Sequence, residues 1–354
     1  MRWPLGCALP GLLVAAASCS TPEKATAPSV VSCAGRTDTA KVPLIDLRDG
    51  CYLQFRGGLY PDGLNELSGS HLSAGGAAAA KIAPLGLDGQ PSASGKYVLL
   101  SIGMSNTTQE FCNDGGQVRS CLLPGFVAQA AADAEVNHAT LAIVNGAAGG
   151  RAAPSWVSAT SAEYDRIRDT WLTPMGLSEL QVQIAWVKVA NPGPTRALPD
   201  ANADAYVLES QIGQIARALK TRYPNLRQIF LSSRVYAGFA TTTLNPEPYA
   251  YESGFAVKWA IESQIEQAAG RAGDARTGDL HYDTGVAPWL AWGPYLWAAG
   301  TTPRSDGLTW VQGDFAADGT HPVTSGREKV ATQLLAFFKT SPVARCWFLA
   351  GQRC

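Results

Sequence analysis

From Lys96 onward, short apolar-rich segments alternate with longer amphipathic ones. Tyr97–Ile102, His138–Val144, Val182–Val189 and Leu226–Val235 are the short segments. Tyr97–Ile102 is continuously apolar but for Ser101, the pattern of a strand buried on both faces. Between and after them, Phe126–Glu135, Ser161–Trp171, Asp204–Tyr223 and Tyr249–Gly270 carry helical spacing. Ser161 stands where a helix cap belongs, with Tyr164, Ile167 and Trp171 following on one face. Val207, Ile212, Ile215 and Leu219 share one side of the longest pattern. A last helix is expected over Thr324–Phe338, and a short fifth strand near Asp279–Tyr282. Strands alternating with helices predict a parallel sheet covered on both faces. Right-handed crossovers then bring the C-terminal ends of the strands to one rim, where sites form in open α/β sheets.

Ahead of Lys96 the pattern weakens. Val42–Leu47 and Cys51–Phe55 read as two short strands about the turn Arg48-Asp49-Gly50. Leu64–Ser94, rich in Gly, Ala and Ser, reads as mostly irregular. Its apolar content is too thin for an independent core, so residues 33–94 are expected as an extension packed on a main domain over 95–342.

At the start, Arg2 precedes the apolar stretch Leu5–Ala17, too short for a membrane anchor. It ends in Ala16-Ala17-Ser18-Cys19. This is similar to a bacterial lipoprotein signal, in which Cys19 would be lipidated; ordinary secretory cleavage is the other reading. Residues 1–18 are expected as a signal peptide, and 19–32, rich in Ser, Thr, Ala and Pro, as a flexible tether. Either route places the chain outside the cytoplasm, secreted or held by Cys19 on the outer side of a bacterial cytoplasmic membrane. With Cys7 inside the signal, the six cysteines beyond Cys19 agree. They fall into sequence-local pairs, and Cys33–Cys51, Cys112–Cys121 and Cys346–Cys354 are the simplest pairing, the last closing a tail over 343–354. There is no CxxC, and the four histidines do not cluster with the cysteines, so neither metal nor cofactor is expected. A net charge of −1 with only 16% charged residues removes most of the electrostatic basis for nucleic-acid binding. Ten Trp and eleven Tyr in 354 residues leave two readings, core packing or a groove for sugar.

The segment Asp314–Pro322 holds Asp318 and His321 three residues apart on what reads as a turn. There an Asp can orient the imidazole and leave its other nitrogen free as a base. An imidazole of ordinary pKa, ~6.5, is mostly neutral at pH 7. The best nucleophile lies far upstream, where the run Leu99–Ile102 ends in a small-residue turn carrying Ser105. A serine hydroxyl needs such a base. Three donors for an oxyanion are on hand: the Ser105 backbone N–H, a peptide N–H of Gly149-Gly150, and the Asn191 side chain. Each residue has a plainer reading. Asn191 precedes Pro192 and could be a turn former. Ser101 lies inside a strand. Ser232 and Ser233 stand at the end of the fourth run and, with Arg234 and Tyr236, could line the site instead. His281 is the rival base, while His71 and His138 read as structural or surface residues. Glu252, Lys258 and Trp259 read as a solvated or packing face. Trp292, Tyr295 and Trp297 would either wall a substrate groove beside His321 or pack in the core.

These blocks resemble the SGNH (GDSL-like) hydrolases, a family of esterases and lipases. Gly103-Met104-Ser105-Asn106 matches the first block except for Met104, where Asp is usual. Asn145-Gly146-Ala147-Ala148-Gly149-Gly150 resembles the second. Lys188-Val189-Ala190-Asn191 stands for the third without its leading Gly and trailing Asp. Asp318-Gly319-Thr320-His321-Pro322 matches the last. The likeness spans roughly Lys96 to Lys339. It implies a flavodoxin-like three-layer α/β/α sandwich, with Ser105, His321 and Asp318 catalytic and Ser105, Gly149 and Asn191 as the oxyanion hole. Trp186, ahead of the third-block Asn, is similar to carbohydrate-active esterases that remove acetyl groups from polysaccharides. Two functions are expected from this. One is an exported, monomeric serine esterase acting on short acyl, above all acetyl, esters of a carbohydrate or other small molecule. The other is a carbohydrate-binding surface protein that keeps the fold without turnover, for which the altered third block argues.

Overall fold

The computed structural model describes residues 32–113 and 120–354; the expected signal peptide, Cys19 and nearly all of the tether lie outside the described residues. In chain order come α1 (Leu44–Leu47), β1 (Cys51–Tyr52), β2 (Phe55–Arg56), α2 (Gly69–Ala79), β3 (Tyr97–Gly103), α3 (Ser105–Phe111), α4 (Phe126–Ala132) and β4 (Leu141–Asn145). They are followed by α5 (Ala162–Ile167), β5 (Val182–Lys188), α6 (Asp204–Arg222), β6 (Gln228–Leu231), α7 (Tyr249–Ala268), β7 (Trp289–Trp292), α8 (Thr324–Thr340) and α9 (Arg345–Phe348).

Five strands form one parallel sheet in the order β4-β3-β5-β6-β7. Counting β3 as first, this is the doubly wound order 2-1-3-4-5 of flavodoxin-like folds. Successive side chains of a strand point to opposite faces, and both faces are covered. Val98, Leu100, Ile102, Ala185, Val187 and Ile229 enter a core beneath α5, α6 and α7. Leu99, Ile184, Trp186, Phe230 and Trp289 enter a second core against α4, α8 and α9. The architecture is therefore a three-layer α/β/α sandwich. From β3 to β4 the chain moves one way across the sheet, and afterwards only the other way. Right-handed crossovers then place α3 and α4 on one face and α5, α6 and α7 on the opposite one. The reversal leaves a crevice at the C-terminal ends of β3 and β5, the place where such sheets bind ligands.

The fifth strand is Trp289–Trp292, not Asp279–Tyr282. The latter segment forms a loop, in which the Asp279 side chain accepts from the His281 backbone N–H at 2.9 Å. β7 pairs with β6 along its whole length, from Gln228↔Trp289 to Leu231↔Trp292. Its apolar run has no period of two, because both of its faces are buried. The N-terminal segment also differs from expectation. Leu44–Leu47 is a helical turn rather than a strand, and the hairpin forms later, with Cys51↔Arg56 and Tyr52↔Phe55 paired. Gly69–Ala79, expected to be irregular, is a helix that packs on the sheet edge. There His71 Nε2 lies 2.8 Å from the Leu290 carbonyl and the Trp289 indole donates to the His71 carbonyl at 3.0 Å. In α6, Ile212, Ile215 and Leu219 are buried as expected, but Val207 faces solvent and Leu208 takes the core position.

Glu252 and Lys258, expected on a solvated or packing face, are buried and hold the N-terminal segment. Tyr52 donates to Glu252 Oε1 at 3.0 Å, and Lys258 Nζ donates to the Arg56 carbonyl at 2.9 Å. All three expected disulfides form: Cys33–Cys51, Cys112–Cys121 and Cys346–Cys354. Among the described residues no helix is long and apolar enough to cross a membrane.

Candidate active site

β3 ends at Gly103 and the chain turns at once into α3. A Cβ on Gly103 would lie 2.2 Å from the Lys188 carbonyl oxygen and 2.4 Å from Thr107 Oγ1. Only glycine lets β3 and β5 close on each other here. The turn delivers Ser105 as the first residue of α3, where its peptide N–H has no partner inside the helix. The next residue, Asn106, donates from Nδ2 to the Thr320 carbonyl at 2.9 Å. That bond ties the start of α3 to the loop ahead of α8.

This loop closes on itself. The Ala316 N–H donates to the His321 carbonyl at 2.8 Å, and the Gly319 N–H to the Ala316 carbonyl at 2.8 Å. Gly319 has φ +61°, and a Cβ there would sit 1.8 Å from the Phe239 carbonyl oxygen, so no other residue fits the turn. Asp318 Oδ1 accepts from the Thr320 N–H at 2.9 Å and the His321 N–H at 3.0 Å. Its Oδ2 lies 2.5 Å from His321 Nδ1, and His321 Nε2 lies 2.9 Å from Ser105 Oγ. Partial burial pushes the Asp318 carboxyl up, but the hydrogen bonds from the His321 N–H, the imidazole and the Thr320 N–H outweigh it and hold it below the usual carboxylate range. An ionised Asp318 can only accept, so Nδ1 carries the imidazole proton and Nε2 is free to accept from the Ser105 hydroxyl.

Ser105 and His321 open onto a cavity of about 420 Å³, whose walls include Met104, Gly149, Asn191, Pro192, Arg234 and Leu244. Gly149 is exposed, and a Cβ on it would meet nothing within 4 Å, so the space where a side chain would stand is open. Asn191 is buried at the same wall, with Nδ2 donating to the Asp204 carbonyl at 2.7 Å. One hydrogen of that amide is engaged there and the other is left. Among the described residues no cluster of three or more His, Cys, Asp or Glu side chains is arranged to hold a metal ion.

Directly beneath lies a pair that pattern reading did not single out. Lys188 Nζ donates to Glu110 Oε1 at 2.6 Å and to Oε2 at 2.5 Å, and both side chains are wholly buried. Burial pushes the Lys188 ammonium down and the Glu110 carboxyl up, each opposed by its partner's charge. The pair joins the end of β5 to α3 under Ser105. A lysine inside an apolar strand was the available signal, because such a residue is almost never buried unpaired.

Other expected contacts lie elsewhere. Trp292 is buried and its indole donates to the Leu59 carbonyl at 2.7 Å, away from the cavity. Tyr295 and Trp297 are also core residues, the Trp297 indole donating to Glu247 Oε1 at 2.7 Å. The two indoles found buried acceptors and the Tyr295 hydroxyl accepts from the Leu44 N–H at 3.2 Å, so the polar ends of these aromatics are engaged inside the core. Tyr236 packs edge-on against Phe239 and Trp297 and is not part of the cavity wall. Trp186 stacks on Phe111 in the core with ring centroids 5.5 Å apart. Ser101 is buried and donates to Asn145 Oδ1 at 2.8 Å; Ser232 is buried and donates to the Pro294 carbonyl at 2.8 Å. Ser233 is buried as well. The rival base His281 is exposed beside Asp279, and neither His71 nor His138 reaches the cavity.

No protein-family model matches the chain, and no curated protein matches it. Solved structures similar to it include a protein of Parabacteroides merdae assigned as a GDSL-like lipase, with 13% identity over 68% of this chain and 94% of that one, at a TM-score of 0.35. The salicylyl-acyltransferase SsfX3 of a tetracycline biosynthetic pathway is 16% identical over 72% of this chain and 58% of its own, at a TM-score of 0.32. An extracellular lipase of Streptomyces rimosus is 12% identical over 68% of this chain and 99% of its own, at a TM-score of 0.31. The architecture stands on the strand order above and not on these likenesses.

Proposed function

We propose that the chain is an exported serine esterase of the SGNH type that cleaves short acyl esters, with acetyl esters of carbohydrate as the first class to try. The observation that carries this reading is one hydrogen-bonded line, Asp318 Oδ2 to His321 to Ser105 Oγ, at 2.5 and 2.9 Å. Ser105 and His321 lie 216 residues apart in the chain, so chance proximity in sequence plays no part. In the proposed mechanism His321 Nε2 takes the Ser105 proton as Oγ attacks the ester carbonyl. The oxyanion is met by the Ser105 N–H, the Gly149 N–H and the remaining Asn191 amide hydrogen; loss of one such donor costs ~10²–10³ in kcat. The imidazolium returns its proton to the departing alcohol, leaving an acyl-Ser105. Water, deprotonated by His321, attacks that ester, and the acid leaves as Ser105 recovers its proton. A cavity of about 420 Å³ between Met104, Pro192 and Leu244 suits a short acyl chain and a small alcohol. The three disulfides suit an oxidising compartment outside the cytoplasm.

The test is hydrolysis of 4-nitrophenyl acetate, expected for the unaltered protein and abolished in Ser105→Ala and in His321→Ala. Activity surviving both changes would put the chemistry elsewhere. A binding role without turnover is the second reading, favoured by the Asn191 amide being engaged at the Asp204 carbonyl. Folded protein that retains acetylated glycans and cleaves no short acyl ester would select it.

A further inference from the structure

On the β6 side, the wall of the Ser105 cavity includes Arg234. It follows the end of β6 by three residues and is only 2% exposed. Its backbone N–H donates to Ser253 Oγ at 3.2 Å. Its guanidinium has no hydrogen-bond acceptor among the described residues, and Nε is buried without a partner. The carboxylates that feel its charge are Glu110, Glu247 and Asp318. Each is committed to other donors. Glu110 holds Lys188. Glu247 accepts from the Trp297 indole and from the Ala237 and Tyr251 N–H groups. Asp318 holds His321 and the Thr320 N–H.

A guanidinium offers five donors in a planar fork and stays charged in proteins. Burying it without acceptors is unfavourable unless something else completes it. The open side of Arg234 is the cavity itself. The group that fits the fork is a carboxylate, accepted by two parallel N–H bonds. Positions along the rim set its place on the substrate. β3, β5 and β6 are consecutive in the sheet, so Ser105 and Arg234 leave strands separated by two spacings, ~10 Å. An arginine side chain covers much of that gap, which leaves a few bonds between the carboxylate and the carbonyl at Ser105.

We propose that Arg234 binds a carboxylate of the substrate, so that the preferred esters carry a free acid a few bonds from the scissile carbonyl. This rests on the esterase reading for what stands at Ser105. The acid can belong to the acyl part or to the alcohol part, and paired substrates separate the two. Monomethyl succinate against methyl succinamate varies the charge on the acyl side. Acetoxyacetate against acetoxyacetamide varies it on the alcohol side. Within one pair, kcat/KM followed by pH-stat is expected to favour the charged ester by ~10- to 100-fold, the range of a charge-assisted hydrogen bond. Arg234→Gln is expected to bring that ratio close to unity. Arg234→Lys, which keeps the charge and loses the fork, is expected to fall between the two and is read alone if the Gln variant does not fold. Equal ratios in the unaltered protein and the variants, with all esters cleaved, would overturn the inference and leave the esterase reading standing. Calorimetric titration of Ser105→Ala protein with the same esters needs no turnover. Binding of a charged ester there, lost when Arg234→Gln is added, sustains the anion site even if the unaltered protein cleaves nothing. No binding of either charged ester overturns it.

Discussion

Replacing Asp318 by asparagine exchanges one oxygen for an NH₂, and the loop dictates which way the amide faces. Oδ1 receives the Thr320 and His321 N–H groups at 2.9 and 3.0 Å. An NH₂ in that place would set donors against donors and leave both peptide groups unmet, at ~1–3 kcal/mol each. The asparagine oxygen therefore stays, and the NH₂ takes the Oδ2 position beside His321 Nδ1. Nδ1 must then accept, which moves the imidazole proton to Nε2, where it faces Ser105 Oγ. Nε2 can no longer take the serine proton. The wrong tautomer in a Ser-His-Asp centre costs ~10⁴ in kcat, or ~5.5 kcal/mol at ~1.4 kcal/mol per tenfold. The expected result for Asp318→Asn is a fall of that size in kcat for 4-nitrophenyl acetate, with KM and the melting temperature little changed. Asp318→Ala imposes no tautomer, so its kcat should fall no further. It also removes the acceptor of two peptide N–H groups, so its stability should fall by ~1–3 kcal/mol for each. Imidazole ¹⁵N shifts report the tautomer directly. An Asp318→Asn protein that keeps more than roughly a tenth of kcat, or that keeps the proton on Nδ1 while activity is lost, refutes the reasoning.

The buried pair under Ser105 makes a stability prediction: Lys188→Met should cost ~3–5 kcal/mol by leaving Glu110 buried without its cation, and adding Glu110→Leu should recover much of it. Urea unfolding of the two variants checks this, and a single-variant loss under ~1 kcal/mol would mean the charges are not what holds β5 to α3. Glu209 makes a pH prediction. It is wholly buried with neither carboxylate oxygen partnered, and burial, then the nearby Asp274, push its carboxyl from 4.5 up to about 8. A raised pKa means the folded state holds the extra proton, so this contribution is full below about 4.5 and is lost as pH rises towards about 8. Glu209→Gln has no proton to lose and should gain on the unaltered protein across that window by up to ~1.4 kcal/mol per pH unit. Parallel stability curves for the two proteins would contradict it.

How much of this was legible beforehand follows from what each feature depends on. β3 and β5 were readable because a strand buried on both faces needs apolar residues at nearly every position. The Asp318–His321 unit was readable because it is local: two side chains and two peptide groups within four residues close one turn. The sulfur pairs were readable for the same reason, each joining cysteines no more than 18 residues apart. The aromatics around β7 left groove wall and core packing both open, because aromatics between a sheet and a helix look the same in sequence as aromatics facing solvent. Composition alone could not have paired Lys188 with Glu110, or turned the Asn191 amide to the Asp204 carbonyl at the start of α6. Both depend on which elements the crossovers set side by side.

The chain by itself thus settled the four strands between Tyr97 and Leu231, the long helices α6, α7 and α8, and how the acid orients the imidazole, since neighbouring residues carry those interactions. The meeting of Ser105 with His321, the buried cation below them and the unmatched guanidinium beside them were decided only in three dimensions. Each is a contact between side chains brought to one rim by strand order, and strand order is a property of the whole sheet rather than of any stretch within it.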